Sequence, residues 1–208
     1  MARGIRITGT ALLAALLGYA LFFAWQTLRP RAIAGPLPDG LLPGDVVLMR
    51  SHTWRAEAVR LIDGVPYRDG FSHVGVVQDR TPDGTYRLVH AVPGAEGTVR
   101  LEPWPFIARG GGSSEAVVFR AALSDKQRER MQALGADLAA RAVPFDGGFD
   151  HHDPQTLYCT ELVTYLYAAV GQPVLGERRM AKRAIFPGDL AASDIMRVVG
   201  RTEKGLEP

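Results

Sequence analysis

His73-Val74-Gly75-Val76-Val77-Gln78, Thr81-Pro82-Asp83-Gly84 and Tyr86-Arg87-Leu88-Val89-His90-Ala91-Val92 follow one another in the chain. The two outer runs are rich in valine and other strand-forming residues. The Pro-Asp-Gly step between them supplies turn chemistry. This pattern predicts a β-hairpin with strands Val74 to Gln78 and Tyr86 to Val92. His73 then stands at the start of one strand and His90 on its neighbour.

Working outward, Pro43-Gly44 precedes Asp45-Val46-Val47-Leu48-Met49, a short apolar run that reads as a further strand. Trp54 to Ile62, with Thr53 as cap, reads as a short helix. Glu115 to Ala121 reads as another strand. Ser124 with Gln127 three residues on is a capping-box pattern. It opens a helix whose apolar face is Met131, Leu134, Leu138 and Ala142, ended by Pro144. A further helix is expected from Cys159 to Val170, with Leu162, Val163, Leu166 and Ala169 or Val170 as its stripe and Gly171 as its stop. A last short helix is expected near Pro187 to Met196. Together these elements predict an α+β domain with an antiparallel sheet packed against helices.

The N-terminal stretch differs in kind. No charged residue occurs from Ile7 to Leu28, and the run is long enough for a transmembrane helix. Ala32-Ile33-Ala34 has the form of a signal cleavage site, but the apolar run is longer than a usual signal core, and Pro30 and Arg31 precede the site. Residues 1–29 are therefore read as an uncleaved, single-pass anchor. Residues 30–40, rich in Pro, Gly and Ala, are read as a linker, 41–200 as the folded domain and 201–208 as a tail. Arginines flank the run on both sides; the free α-amine tips the orientation toward a domain outside the cytoplasm. The chain has 208 residues and a formal net charge of +2. Without a dense basic stripe, nucleic acid is not expected as a partner.

Cys159 is the only cysteine, so it forms no intramolecular disulfide. At the first turn of a helix, unpaired N–H groups favour a thiolate and can also serve an oxyanion. The alternative is a buried cysteine packing on the helix. His73, at a strand's end, suits a general base; taken alone, it is better explained as a solvent-facing edge histidine. His90 suits the third group that orients a base, or is a core histidine. His151-His152-Asp153 lacks a further ligand at motif spacing and is read as loop, so neither metal nor cofactor is expected. Gly110-Gly111-Gly112 lacks the Lys-Ser/Thr of a phosphate loop and is read as a turn.

Five segments in order carry a resemblance: Pro43-Gly44-Asp45-Val46-Val47, Phe71-Ser72-His73-Val74-Gly75-Val76, Val89-His90-Ala91, Pro144-Phe145-Asp146 with Phe149, and Tyr158-Cys159-Thr160-Glu161-Leu162-Val163. The chain resembles the permuted papain-like amidases of the YiiX/YaeF type over roughly Leu41 to Ile195. That family is related to NlpC-type cell-wall hydrolases and to the lecithin retinol acyltransferase group. The resemblance implies a circularly permuted papain-like fold, with Cys159 as nucleophile and His73 as base. Members of the YiiX type often carry Glu where this chain has His90, whereas histidine fills that role in many NlpC-type hydrolases. Tyr158, by adjacency, is a candidate support for the oxyanion.

The expected activity is hydrolysis of an amide or ester through a thioester at Cys159, or transfer of the acyl group to another acceptor. Cell-wall peptides and lipid acyl groups are the substrates that a membrane-tethered site outside the cytoplasm would meet. The alternative is a non-catalytic module that binds lipid or peptidoglycan.

Overall fold

The computed structural model describes residues 17–19, 33–51, 70–94, 97–150, 153, 155–180 and 184–202. Among these, six strands form one antiparallel sheet: β1 (Val46–Ser51), β2 (His73–Arg80), β3 (Tyr86–Ala91), β4 (Val99–Pro103), β5 (Ser113–Ala121) and β6 (Met196–Arg201). Their spatial order is β4-β3-β2-β1-β5-β6. The described helices of the domain are α1 (Trp104–Gly110), α2 (Asp125–Ala140), α3 (Cys159–Ala169), α4 (Glu177–Met180) and α5 (Pro187–Ala191).

β1 is central, paired to β2 on one side and β5 on the other. Its continuous apolar run is explained by burial on both faces, a pattern that hides the usual alternation of a half-exposed strand. Val46 and Leu48 join one core cluster with Met131 and Leu138 of α2 and Leu162, Val163 and Leu166 of α3. Val47 and Met49 join a second cluster with Trp104, Ile107 and Ala108 of α1. Helices thus cover both faces of the sheet. Burying a leucine completely contributes about 2 kcal/mol, and Leu48, Leu138, Leu162 and Leu166 are all at 1% exposure or less.

The turn into β1 depends on Gly44 and Asp45. Gly44 has φ +89°, which favours glycine. Asp45 is fully buried. One of its carboxylate oxygens accepts from Arg120 Nε at 2.8 Å; the other accepts from Arg120 Nη2 at 2.6 Å and from the Leu42 N–H at 2.8 Å. The Tyr167 hydroxyl donates to the Gly44 carbonyl at 2.5 Å, which ties α3 to the same turn.

The expected hairpin is present as β2 and β3. The helix after Ser124 is present with both capping-box bonds, Gln127 N–H to Ser124 Oγ and Ser124 N–H to Gln127 Oε1. Its expected face overran at the C-terminus: the helix stops at Ala140, and Ala142 is exposed with φ +48°. α3 runs as expected, but its burial is wider than one stripe, since Thr160, Glu161, Thr164 and Tyr167 are buried too.

Two expectations are corrected, and three elements were not anticipated. The helix expected over Pro187 to Met196 is only Pro187–Ala191; Met196–Arg201 then pairs with β5 as an edge strand. Residues 33–38, within the expected linker, pack on the sheet: Ala34 and Leu37 are buried, the Ala34 N–H donates to the Ser113 carbonyl, and Trp104 Nε1 donates to the Gly35 carbonyl. β4, α1 and the short α4 had no assigned counterpart in the sequence. Pro105 stands in the first turn of α1, where its missing N–H breaks no helical bond.

The chain divides into two units, and residues 17–19 belong to the first. Leu17, Gly18 and Tyr19 are helical and exposed. Among the described residues no helix is long and apolar enough to cross a membrane. Apart from these three residues, the expected anchor lies outside the described residues, as does the helix expected over Trp54 to Ile62.

Candidate active site

Cys159 is the first residue of α3, after Tyr158 in extended conformation. α3 packs on β2, and the Val74 backbone is close enough to the thiol to act on its charge. The β2–β3 ladder begins at Val76 opposite Val89, so Val74 lies just outside it. The sulfur therefore lies beside the residue that follows His73. Its other close polar neighbour is Thr160 Oγ1, at 3.8 Å.

His73 and His90 are in direct contact. His73 Nε2 lies 2.9 Å from His90 Nδ1, and the rings meet edge-on with centroids 5.2 Å apart. Gly75 makes the room for this contact. A Cβ at that position would lie 3.3 Å from His90 Cβ and 3.2 Å from Leu88 Cδ2, closer than an ordinary packing contact. The glycine of Ser72-His73-Val74-Gly75 thus has a local physical reason.

The line of contacts continues on β4. His90 Nε2 lies 3.0 Å from Glu102 Oε2, and Arg100 Nη1 lies 3.7 Å from the other carboxylate oxygen. The sequence reading passed over Glu102. Its only sequence signal is its spacing from Arg100 in a short run broken by Pro103, and β4 itself was not anticipated.

Burial sets the charge state of the resting pair. It pushes the Cys159 thiol up, against the lowering effect of Thr160 and the Val74 backbone. Burial, with the neighbouring His90 second, pushes His73 down to about 3. The expectation that the helix N-terminus would lower the thiol is therefore corrected: desolvation outweighs the helix end, and the resting pair is a neutral thiol beside a neutral imidazole.

Tyr158 is buried, and its phenol oxygen accepts the Ile185 N–H at 2.9 Å. Its ring lies against Phe149, centroids 5.4 Å apart. These contacts anchor the start of α3. Glu161 caps the same start from inside, accepting the Tyr158 N–H at 3.3 Å. Burial, with Asp146, Asp150 and Asp153 nearby, pushes Glu161 up to about 8.

That shift carries a stability prediction. The folded state holds the Glu161 proton to about pH 8, whereas the unfolded chain releases it near 4.5. Stability is then retained below pH 4.5 and declines as pH rises toward 8. Glu161→Gln, which keeps an acceptor for the Tyr158 N–H, is expected to melt like wild type near pH 4. Near pH 8.5 it should be more stable by roughly 1–3 kcal/mol. Thermal melts across that range check it; a variant less stable than wild type at pH 8.5 would contradict the assignment.

Among the described residues no group of three or more His, Cys, Asp and Glu side chains could hold a metal ion. His151 and His152 lie outside the described residues. An open cavity of about 650 Å³ lies at the turn end of the hairpin, lined by Thr81, Arg87, Phe106 and Arg109 among others. Cys159, His73, His90 and Glu102 do not line it.

No protein-family model matches the chain, and no curated protein matches it. Solved structures do. One is the crystal structure of metalloprotein yiiX from Escherichia coli O157:H7, with a TM-score of 0.57 and 18% sequence identity over 76% of this chain and 96% of that one. At that identity the likeness is one of fold: the domain shares the α+β architecture of a YiiX-type structure.

Proposed function

We propose that the chain is a membrane-tethered cysteine hydrolase of the permuted papain-like kind, acting on an amide or ester through a thioester at Cys159. The observation that carries this reading is the position of the thiol. It opens α3 against β2, beside the Val74 backbone that follows His73, while His73 contacts His90. In the proposed reaction the Cys159 proton passes to His73 as sulfur attacks the acyl carbon, and His73 returns it to the leaving group. The pair starts neutral, so proton transfer accompanies attack. Water then releases the acid, or another acceptor takes the acyl group. The uncharged run from Ile7 to Leu28 supports the tether, and cell-wall peptides and lipid acyl groups are the proposed substrate classes.

The name of the yiiX structure raises a metal reading. The ring nitrogens and carboxylate along His73, His90 and Glu102 face one another at 2.9 and 3.0 Å. The two contacts use opposite nitrogens of the His90 ring, so the three groups form a line and do not converge on one point, and no step is assigned to a metal. One observation favours a binding module instead: the resting thiol is held protonated. A panel of muropeptide amides and fatty-acyl esters, assayed for turnover and for equilibrium binding in parallel, separates the readings. The enzyme reading expects turnover of at least one donor, lost in Cys159→Ala. Binding of a donor without turnover would support the module.

Gly75→Ala tests the packing that holds His90. The added methyl is expected to push His90 away from His73 and to lower kcat/KM roughly 10–100-fold. Unchanged kcat/KM in this variant would show that His90 need not keep its observed place.

A further inference from the structure

We infer that Glu102 is a positioning residue: through His90 it decides which nitrogen of His73 is free to take the thiol proton. The inference rests on the proposed roles of Cys159 and His73, and adds a residue that neither the sequence reading nor the fold comparison points to.

The argument follows the protons. Glu102 lies 3.0 Å from His90 Nε2 and His90 Nδ1 lies 2.9 Å from His73 Nε2, so each contact holds one hydrogen. The bond to His90 holds the Glu102 carboxyl below its usual range, assisted by Arg100. Glu102 is then ionised at neutral pH, and an ionised carboxylate only accepts. His90 Nε2 must carry the hydrogen. In the neutral form of His90 the ring has one N–H, so His90 Nδ1 is an acceptor. His73 Nε2 must then donate to it, which leaves the lone pair of His73 on Nδ1. That nitrogen has no hydrogen-bond partner among the described residues, and His73 adjoins Val74, whose backbone lies beside the sulfur.

The opposite tautomer chain would fail. With the hydrogen on His90 Nδ1, His73 would accept at Nε2 and carry its own hydrogen on Nδ1. It would then be unable to take a proton there. During attack, the thiol proton moves to His73 Nδ1 and the sulfur electron pair forms the bond to the acyl carbon. The imidazolium so formed keeps its Nε2–H bond to His90, and the Glu102 carboxylate at the far end offsets the new charge.

Ring-nitrogen NMR of the full chain in detergent micelles, by two-bond ¹H–¹⁵N correlation, reads both tautomers without any substrate. In wild type, His73 and His90 are both expected as the Nε2–H form. Finding His73 as the Nδ1–H form in wild type would overturn the inference. A Glu102→Gln side chain can donate as well as accept. The variant is expected to mix the two forms and to lose roughly 10–100-fold in kcat with KM little changed. Glu102→Asp, which restores an acceptor-only group, is expected to recover the Nε2–H forms. Unaltered tautomers in Glu102→Gln would also overturn the inference. The wild-type spectrum decides the matter even if a variant fails to fold. Absence of turnover on every donor, with the tautomers as expected, would count against the hydrolase reading alone.

Discussion

Cys159→Ala is expected to abolish turnover of any acyl donor the wild-type chain processes, and His73→Ala to lower it about 10²–10⁴-fold. Cys159 is the only thiol in the sequence, so no other side chain can form a thioester. Among the described residues the His73 side chain makes no hydrogen bond except that to His90, and its backbone pairing with β1 survives truncation, so its loss should leave the sheet intact. The pH profile gives a second readout. Protonating His73 removes the base, and burial delays that event to about pH 3. Activity is therefore expected to persist well below pH 6.5 and to fall only toward pH 3. An acid limb centred near 6.5 would mean that the working base is a solvated histidine. Full turnover in Cys159→Ala would end the cysteine mechanism.

Asp45→Ala is expected to cost about 3–5 kcal/mol of folding stability. The carboxylate is fully buried and takes two bonds from Arg120 and one from the Leu42 N–H. Its removal strands the largely buried Arg120 guanidinium and opens the turn that leads into the central strand. Denaturant melts of wild type and variant measure the loss. A loss below about 1 kcal/mol would put this pair among ordinary surface ion pairs. Because Asp45 lies away from the thiol, the folded fraction should keep its turnover.

The same residues show what could be read from the sequence. The hairpin, the capped helix after Ser124 and the helix opening at Cys159 were legible because their signals are local: turn residues, a capping pair and a regular apolar stripe. His73 and His90 were legible as neighbours for the same reason, since one tight turn joins their strands. Glu102 was not. Its meaning depends on β4 pairing with β3, a register that no local pattern states. The edge strand Met196–Arg201 was hidden similarly, because its partner β5 is distant in sequence. The thiol's charge state was misjudged because a helix end is visible in sequence whereas desolvation is not. The packed segment 33–38 was read as linker on its Pro and Gly content; its attachment to Ser113 and Trp104 is long-range.

The central claim is that an acyl group passes through the sulfur of Cys159. Rapid-quench intact-mass spectrometry with a p-nitrophenyl acyl ester tests it directly, with peptide mapping to locate the adduct. The expected result is one acyl mass on the peptide bearing Cys159, formed before steady state and released by hydroxylamine. Steady turnover of the ester with no adduct on Cys159, or with the acyl group on another residue, would contradict the account.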